Sequence, residues 1–258
     1  ADRRVSAESL IAGNVASAEI PQQLSSKPFL AALPELTAAA EESYDYCLSY
    51  TNGALSLDAL KDKALTGVCS NFLTPAMQRR LRQPFKQQLL GKALGLKAQR
   101  KQRILDATAG LGSDAFLMAA SGCEVTAIER SPLVFALLED ALLRAQLTGG
   151  SFAVIASRLT LQQDDFLSLN ARQHQYDTVY LDPMFPAGRR KASAKKAMTL
   201  LQQILPAEDC PEQLLSHGLK CADKRVVVKR GRRSPPLAAR EPSLQCQGST
   251  NRFDVYLP

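Results

Sequence analysis

The sequence predicts an α/β fold built on a mostly parallel, doubly wound sheet. Short apolar runs typical of strands alternate with segments typical of helices, and several of the runs end in an acidic residue, namely Asp106, Glu129 and Asp182. Residues 1–73, where prolines interrupt short apolar runs, are expected to form a small α+β lobe, and residues 74–258 the sheet domain. Ligands bind such folds at the carboxyl ends of the strands, so the three acidic residues mark the expected site.

Composition narrows the class of protein. With 258 residues and 45% hydrophobic content, the chain can bury a substantial core. It has no apolar run near the roughly 18 residues needed to cross a bilayer, and its start does not lead into the apolar run of a secretion signal. The six cysteines are dispersed, with no C-x-x-C pair and no histidine cluster nearby. We therefore expect a cytoplasmic protein with no membrane association and no metal.

A strand, a tight loop and a helix are predicted between Arg103 and Gly122. The strand ends at Asp106, the loop contains Gly110 and Gly112, and a helix-like segment begins at Asp114. Glycine lets the backbone take a positive φ and approach a ligand closely, and the start of the helix offers unpaired N–H groups. On its own, this pattern is equally compatible with a structural turn.

Glu129 favours the ligand interpretation, because an acidic residue at the end of the next parallel strand can accept both hydroxyls of a ribose. The spacing D-x-x-x-G-x-G lacks the third glycine with which dinucleotide sites hold a pyrophosphate. Asp106 instead supplies a carboxylate for a cationic amino-acid tail. The pattern therefore suits S-adenosylmethionine (SAM) better than NAD.

The tetrapeptide Asp182-Pro183-Met184-Phe185 follows the strand predicted at residues 178–181. Proline cannot extend a ladder, so Asp182 lies at a carboxyl end. D/N-P-P-Y/F at such a position is the signature of amino-methyltransferases. The Asp182 carboxylate and the Pro183 carbonyl can each accept one N–H of an sp² amine, while Phe185 stacks on the base. The alternative is an Asp-Pro turn with Phe185 in the core.

Further elements follow from the same patterns. The segment from Thr74 to Lys101 is expected to form an amphipathic helix broken near Pro84. Pro132–Leu147 is expected to form a long helix that Gly149 and Gly150 end. Strands are predicted at residues 159–163 and 225–229, a helix at 212–222, and a last edge strand at 253–256.

Several runs closely resemble the ribosomal RNA small subunit methyltransferase J family: DATAGLGSDAF, AIERSP, YLDPMFP, KRVVVKR and RFDVY. The resemblance covers residues 70–258. It implies a Rossmann-like class I SAM-dependent methyltransferase that modifies the N2 amine of one guanine in 16S ribosomal RNA.

The loop pattern already predicts cofactor contacts at Asp106, Gly110 and Gly112. Carried over by position, the resemblance implies further contacts at Ser113, Asp114, Glu129, Arg130, Asp164, Asp165 and Asp182. Two of these sites depart from the family, which often has Arg in place of Ser113 and Ser-Ser in place of Asp164-Asp165. An acidic group at the second site can still bind the adenine amino group. Relatives often carry GGGRGE where this chain reads Arg82-Gln-Pro-Phe-Lys-Gln87, so no pocket role is carried over to that segment.

Basic residues follow the tetrapeptide and recur later in the chain. They are expected to bind RNA phosphates, because positive charge beside the target amine attracts a polyanion. The residues are Arg189, Arg190, Lys191, Lys195, Lys196, Lys229 and Arg230.

The sequence thus predicts a SAM-dependent guanine-N2 methyltransferase of small-subunit ribosomal RNA that acts on 16S RNA or on the 30S subunit, with Asp182, Pro183 and Phe185 as catalytic residues. Two alternatives remain open from the residues alone. One is a methyltransferase for another amine, such as adenine N6 or a protein glutamine. The other is a non-catalytic RNA-binding assembly factor.

Overall fold

The structure is a computed structural model that describes residues 11–14, 44–62, 64–65, 67–96, 101–170, 176–183, 199–205 and 210–258. These residues form two compact units. The first contains the described residues within Ala1–Ser70, Ser131–Ala141 and Phe185–Ala207, and the second those within Asn71–Arg130, Leu142–Met184 and Glu208–Pro258. The predicted boundary after residue 73 stays a prediction.

A three-stranded sheet organises the first unit. Strand β1 (Ile11–Asn14) runs parallel to β2 (Tyr46–Thr51), which pairs antiparallel with β3 (Ala54–Ala59). Asn52 and Gly53 both have positive φ, as a two-residue hairpin turn that matches strand twist requires. Residues 199–204 of this unit are helical.

The second unit contains the seven-stranded sheet that was predicted as its framework. Its strands are β4 (Arg103–Asp106), β5 (Glu124–Glu129), β6 (Leu159–Gln163), β7 (Tyr176–Leu181), β8 (Ala222–Gly231), β9 (Leu244–Gln247) and β10 (Asn251–Tyr256). The order across the sheet is β6-β5-β4-β7-β8-β10-β9. From β6 to β8 all pairings are parallel, and β10 and β9 are added antiparallel. The mostly parallel sheet is therefore confirmed.

Helices precede or follow these strands along the chain. They are α1 (Pro75–Arg82), α2 (Leu89–Ala93), α3 (Ser113–Ala120), α4 (Pro132–Thr148), α5 (Gly150–Ala156) and α6 (Pro211–Cys221). The first part of α4, up to Ala141, belongs to the first unit. Thr74 caps α1 by accepting a hydrogen bond from the Met77 N–H at 3.2 Å. The predicted break near Pro84 is confirmed, because a short 3₁₀ turn at Phe85–Gln87 separates α1 from α2.

The central strands are buried, which explains why their sequences are continuous apolar runs rather than alternating ones. Val226, Val227 and Val228 of β8 and Val179 of β7 are all fully buried. The described chain contains no helix long and apolar enough to cross a membrane. None of the six cysteines forms a disulfide.

The predicted long helix that Gly149 and Gly150 end is confirmed, because α4 ends at Thr148. A second helix that was not predicted, α5, begins at Gly150. Positive φ at both glycines turns the chain between the two helices. The prediction of a last strand at the edge of the sheet was wrong. The last strand, β10, is not at the edge of the sheet, because β9 covers it. The β9 sequence LQCQ is mostly polar and exposed, as suits an edge, and lacks the apolar pattern by which a strand is recognised.

Candidate functional site

The site is formed where the parallel strands of the second unit end. Asp106 is the last residue of β4, Glu129 is the last residue of β5, and Asp182 directly follows β7. Because neighbouring parallel strands end at the same edge of the sheet, the register brings these three acidic residues together there. This is the edge that the sequence predicted.

The glycine loop after β4 is fixed against Glu129. The Gly110 N–H donates to Glu129 Oε2 at 2.9 Å. Gly110 has φ of 54° and Gly112 has φ of 73°, and Gly112 is the residue that caps α3. Positive φ at both positions explains why glycine is needed there. This hydrogen bond therefore fixes the loop after β4 to the end of β5.

Asp114, in the first turn of α3, accepts three hydrogen bonds from different elements. Tyr180 Oη and Lys229 Nζ donate to its Oδ2 at 2.8 Å and 2.7 Å, and Arg80 Nη2 lies 3.3 Å from its Oδ1. Burial alone would raise the pKa of Asp114, but the charge of Lys229, its hydrogen bond and the charge of Arg80 lower that pKa to about 2. Asp114 is therefore ionised at neutral pH.

Lys229 of β8 joins two carboxylates. Its Nζ donates to Asp114 Oδ2 and, at 2.8 Å, to Asp182 Oδ2. Burial would lower the pKa of the Lys229 ammonium, but the charges of Asp182 and Asp114 outweigh burial and raise it. The sheet register explains the contact, because Leu181 of β7 is the partner of Val228 in β8, which places the next residues, Asp182 and Lys229, side by side.

Thr108 connects the glycine loop to the residue after β7. Its Oγ1 accepts a hydrogen bond from the Asp182 N–H at 2.6 Å, and its own N–H donates to Asp106 Oδ1 at 3.3 Å. Burial, together with the charges of Asp114 and Asp182, raises the pKa of Asp106 well above its ordinary value despite the hydrogen bond from Thr108. One threonine thus holds two of the three acidic residues of this edge in place.

We expect Thr108→Val to keep the shape of the loop but leave the Asp182 N–H without its acceptor. The free energy of unfolding should fall by about 1–3 kcal/mol, the usual cost of such a loss in a partly buried site. Catalytic turnover should fall more than cofactor affinity, because Asp182 loses its backbone anchor. Urea unfolding and a titration with SAM measure the two effects. A Thr108→Ser variant, which retains the hydroxyl, is the control and should behave like the unmodified protein.

A backbone hydrogen bond joins the residues after β6 to Glu129. The Asp164 N–H donates to the Glu129 carbonyl at 3.3 Å. The carboxylates of Asp164 and Asp165 are exposed, and each accepts local hydrogen bonds, from Ser168 Oγ at 2.8 Å and from the Leu167 N–H at 2.9 Å. Ser113 and Arg130 are exposed beside the glycine loop and the end of β5. The cofactor roles of these residues stay predictions.

The residues expected to contact RNA fall into two groups. Phe185 and the basic loop from Arg189 to Lys196 lie outside the described residues. Lys229 and Arg230 are described, and their side chains are engaged within the protein. Lys229 binds two carboxylates, and the Arg230 guanidinium donates to the Pro235 carbonyl at 2.8 Å and 3.0 Å. Pro183 is buried directly after Asp182.

Thr108, Tyr180 and Arg80 belong to this site and were not singled out in the sequence. Thr108 lies inside the motif D-A-T-A-G-L-G, and Tyr180 lies two residues before Asp182, on the same face of β7. Those positions are signals that sequence reasoning could have used. Arg80 offers no comparable signal, because it is one of many basic residues of its segment. Over the described ranges, no group of three or more His, Cys, Asp or Glu residues could hold a metal ion.

Comparisons with known proteins agree with one another. A family model for SAM-dependent methyltransferases matches residues 31–258. The ribosomal RNA small subunit methyltransferase J of Pseudoalteromonas atlantica is 39% identical over 244 residues, which cover 92% of this chain and 95% of the relative. The protein of that name from Coxiella burnetii is 39% identical over 240 residues, covering 92% and 94%. A solved SAM-dependent methyltransferase from Neisseria gonorrhoeae aligns with 96% of this chain and 95% of its own, with a TM-score of 0.72 and 31% identity.

Proposed function

Because the chain belongs to the ribosomal RNA small subunit methyltransferase J family of SAM-dependent methyltransferases, we propose that it methylates the N2 amine of a specific guanine in 16S ribosomal RNA. The substrate class comes from the names of the relatives. The choice of an sp² amine comes from Asp182-Pro183-Met184-Phe185. We place the activity in the cytoplasm, with 16S RNA or the 30S subunit as the substrate.

The site fits a cationic cofactor. Burial and the charges of Asp114 and Asp182 raise the pKa of Asp106, so a cation bound beside this carboxyl would favour its charged form and be attracted to it. Above the glycine loop there is open space, because a Cβ at Gly110 would meet no heavy atom within 4 Å. When bound, SAM supplies an electrophilic methyl group on a sulfonium, and its amino-acid tail carries an ammonium.

Each part of the cofactor has a proposed partner. Glu129 accepts the ribose hydroxyls, since it ends β5 beside the glycine loop. Asp106, Gly110 and Gly112 shape the methionine end. The exposed carboxylates after β6 accept the adenine amino group. Ser113, Asp114 and Arg130 complete the proposed cofactor site, in which Asp114 acts through its contacts with Lys229 and Tyr180.

The observation that carries the proposed chemistry is the hydrogen bonding of the Asp182 carboxylate. Its Oδ2 accepts a hydrogen bond from Lys229, and in the described part of the chain no second hydrogen bond to this side chain occurs. Oδ1 is therefore available for one N–H of the guanine amine, and the Pro183 carbonyl for the other. This pairing directs the nitrogen lone pair toward the methyl group. With SAM bound, the nitrogen would gain a bond to carbon as the sulfur–carbon bond breaks, and Asp182 or water would take up its proton.

The test is transfer of a tritiated methyl group from SAM to 30S subunits and to free 16S RNA that lack the modification, followed by nucleoside analysis. Labelled N2-methylguanosine is the expected product. Labelled N6-methyladenosine, or label in protein, would assign the site to a different amine. Absence of label from both substrates despite cofactor binding would favour a non-catalytic RNA-binding factor.

We expect Glu129→Gln to weaken cofactor binding by about 10–100-fold, because a charge-assisted hydrogen bond contributes roughly 1.5–3 kcal/mol. The glutamine carbonyl can still accept from the Gly110 N–H, so the loop should keep its shape. Turnover at saturating SAM should fall less than threefold. Calorimetric titration with SAM and methyl transfer at saturating SAM separate the two quantities. Unchanged SAM affinity would contradict the ribose-binding role.

A further inference from the structure

A cavity of about 590 Å³ lies in the second unit, and none of the carboxylates of the candidate site is among its described lining residues. Its wall is formed by the end of α1, the 3₁₀ turn that follows and the end of α3. The residues that line it include Arg82, Pro84, Phe85, Lys86, Lys101 and Cys123. The segment Arg82-Gln-Pro-Phe-Lys-Gln87, to which the family resemblance assigned no role, therefore lines a pocket.

The cavity lies toward the opposite edge of the sheet. Gly122 and Cys123 directly precede β5, whereas Glu129 is its last residue. A strand of this length spans about 20 Å at roughly 3.3 Å per residue. Arg80 also lines the cavity, and its guanidinium reaches Asp114 at the start of α3. The cavity thus extends along α3, from near the candidate site to the far end of the strands.

The cavity wall combines apolar residues, from the exposed Pro84 and the half-buried Phe85 to the buried Leu117, with a basic rim. Arg82, Lys86 and Lys101 are exposed, and none of the three makes an ion pair with any residue that the structure describes. The described lining includes no aspartate or glutamate. Cations without nearby carboxylates attract an anionic partner.

The end of α3 decides how such a partner would be oriented. Ala120, Ser121 and Gly122 line the cavity at the carboxyl end of this helix, where the helix dipole is negative. A phosphate is therefore disfavoured in the interior and favoured at the rim, beside Arg82 and Lys86. A planar, uncharged group with N–H donors suits the interior, beside the aromatic ring of Phe85.

We propose that this cavity binds one unpaired nucleotide of the RNA substrate, with the base against Phe85 and Pro84 and the adjoining phosphates on Arg82, Lys86 and Lys101. Proteins read RNA mostly at unpaired nucleotides, whose bases stack on aromatic side chains while cations hold the backbone. The inference rests on the proposed function for its substrate class. It adds a second point of attachment, about a strand's length from the methylated base, that would fix the position of the RNA.

The test is equilibrium binding of free 16S RNA and of 30S subunits to the full chain, measured by filter binding over a range of salt concentrations. The double variant Arg82→Gln/Lys86→Gln should bind both substrates about 10-fold more weakly. The slope of log K against log salt should fall by about 1.4, since each single-stranded phosphate contact contributes about 0.7. Phe85→Leu should weaken binding about 5-fold or more, with an unchanged slope, because only stacking is lost.

The matched control is Lys220→Gln/Arg240→Gln, which removes two exposed cations of the same unit that do not line the cavity. This control should bind RNA like the unmodified protein, and all variants should keep the affinity for SAM. If the Arg82/Lys86 variant binds RNA as the control does, the inference is wrong. It is also wrong if binding weakens only for 30S subunits, since the surface would then contact a ribosomal protein.

Failure of the proposed function would look different, because RNA binding is measured without methyl transfer. An unmodified protein that transfers no methyl group to RNA, yet binds it with the expected dependence on Arg82 and Lys86, would overturn the proposed function and retain the RNA surface. Normal methyl transfer, together with RNA binding that does not depend on Arg82 and Lys86, would retain the proposed function and overturn the RNA surface.

Discussion

Asp182→Asn is expected to lower the rate of methyl transfer by about 10²–10⁴-fold, the range that a positioned acid–base group contributes. The substitution keeps the size of the side chain and removes the charge. Lys229 then donates to a neutral amide, and the guanine amine faces a group that can present an N–H instead of a carboxylate oxygen. Single-turnover methyl transfer at saturating SAM and RNA measures the effect.

The same variant should bind SAM with an affinity within about threefold of that of the unmodified protein. The proposed ribose contact is at Glu129, and the hydrogen bond from the backbone N–H of residue 182 to Thr108 remains. Asp223→Asn is the matched control, since Asp223 is an exposed aspartate of β8 outside the site. It should leave transfer and binding unchanged. Near-normal turnover of Asp182→Asn would show that this carboxylate does not orient the amine.

The acidic residues and the glycine loop of the site could be predicted because a nearby residue in the sequence marks each of them. The strand β7 stops directly before Asp182 because Pro183 follows, and Gly110 and Gly112 mark a loop that needs positive φ. Neighbouring parallel strands end at the same edge of a sheet, and the three acidic residues meet because β5, β4 and β7 are neighbours. The Rossmann-like fold and the SAM-dependent class that the resemblance implied are confirmed.

The contacts between side chains could not be predicted in the same way, because they depend on sheet register. Lys229 was expected to contact RNA, since it stands in a run of basic residues. It meets Asp182 because β7 and β8 pair with Leu181 opposite Val228, and nothing local in either strand sets that register. The edge strand β9 was missed for a related reason, since its pairing with β10 stabilises a sequence without apolar alternation.

Lys229→Met is expected to have the largest effect on stability, lowering the free energy of unfolding at pH 7 by about 3–5 kcal/mol. The side chain is 26% exposed and stands between two carboxylates, of which Asp114 is the more buried. Without the ammonium, Arg80 and the Tyr180 hydroxyl are the remaining groups that contact the charge of Asp114 among the residues that the structure describes. Urea unfolding measures the loss, and methyl transfer should fall at least 10-fold because Asp182 loses the contact that orients it.

Lys224→Met is the matched control for the Lys229 variant. Lys224 is a lysine of the same strand that is ion-paired with Asp177, near the other end of β7. Both variants should lose stability, whereas only Lys229→Met should lose turnover at saturating substrates. Equal loss of turnover in the two would show that Lys229 has only a structural role. Lys229→Arg keeps the charge with a different geometry, so it should recover most of the stability and part of the turnover.

The stability difference between the unmodified protein and Lys229→Met should shrink as the pH falls from 7 to 4. In the unmodified protein the pKa of Asp114 is about 2, below its unfolded value of about 3.9, so its contribution is fully present above that value and is lost as the pH falls through about 2. Removing Lys229 removes the charge that lowers this pKa, and burial then raises it. In the variant, Asp114 is therefore protonated at a higher pH, which removes the buried charge. Unfolding curves at pH 7, 5 and 4 would show the free energies of unfolding of the two proteins converging. A difference independent of pH over this range would show that Asp114 does not depend on Lys229 for its ionisation.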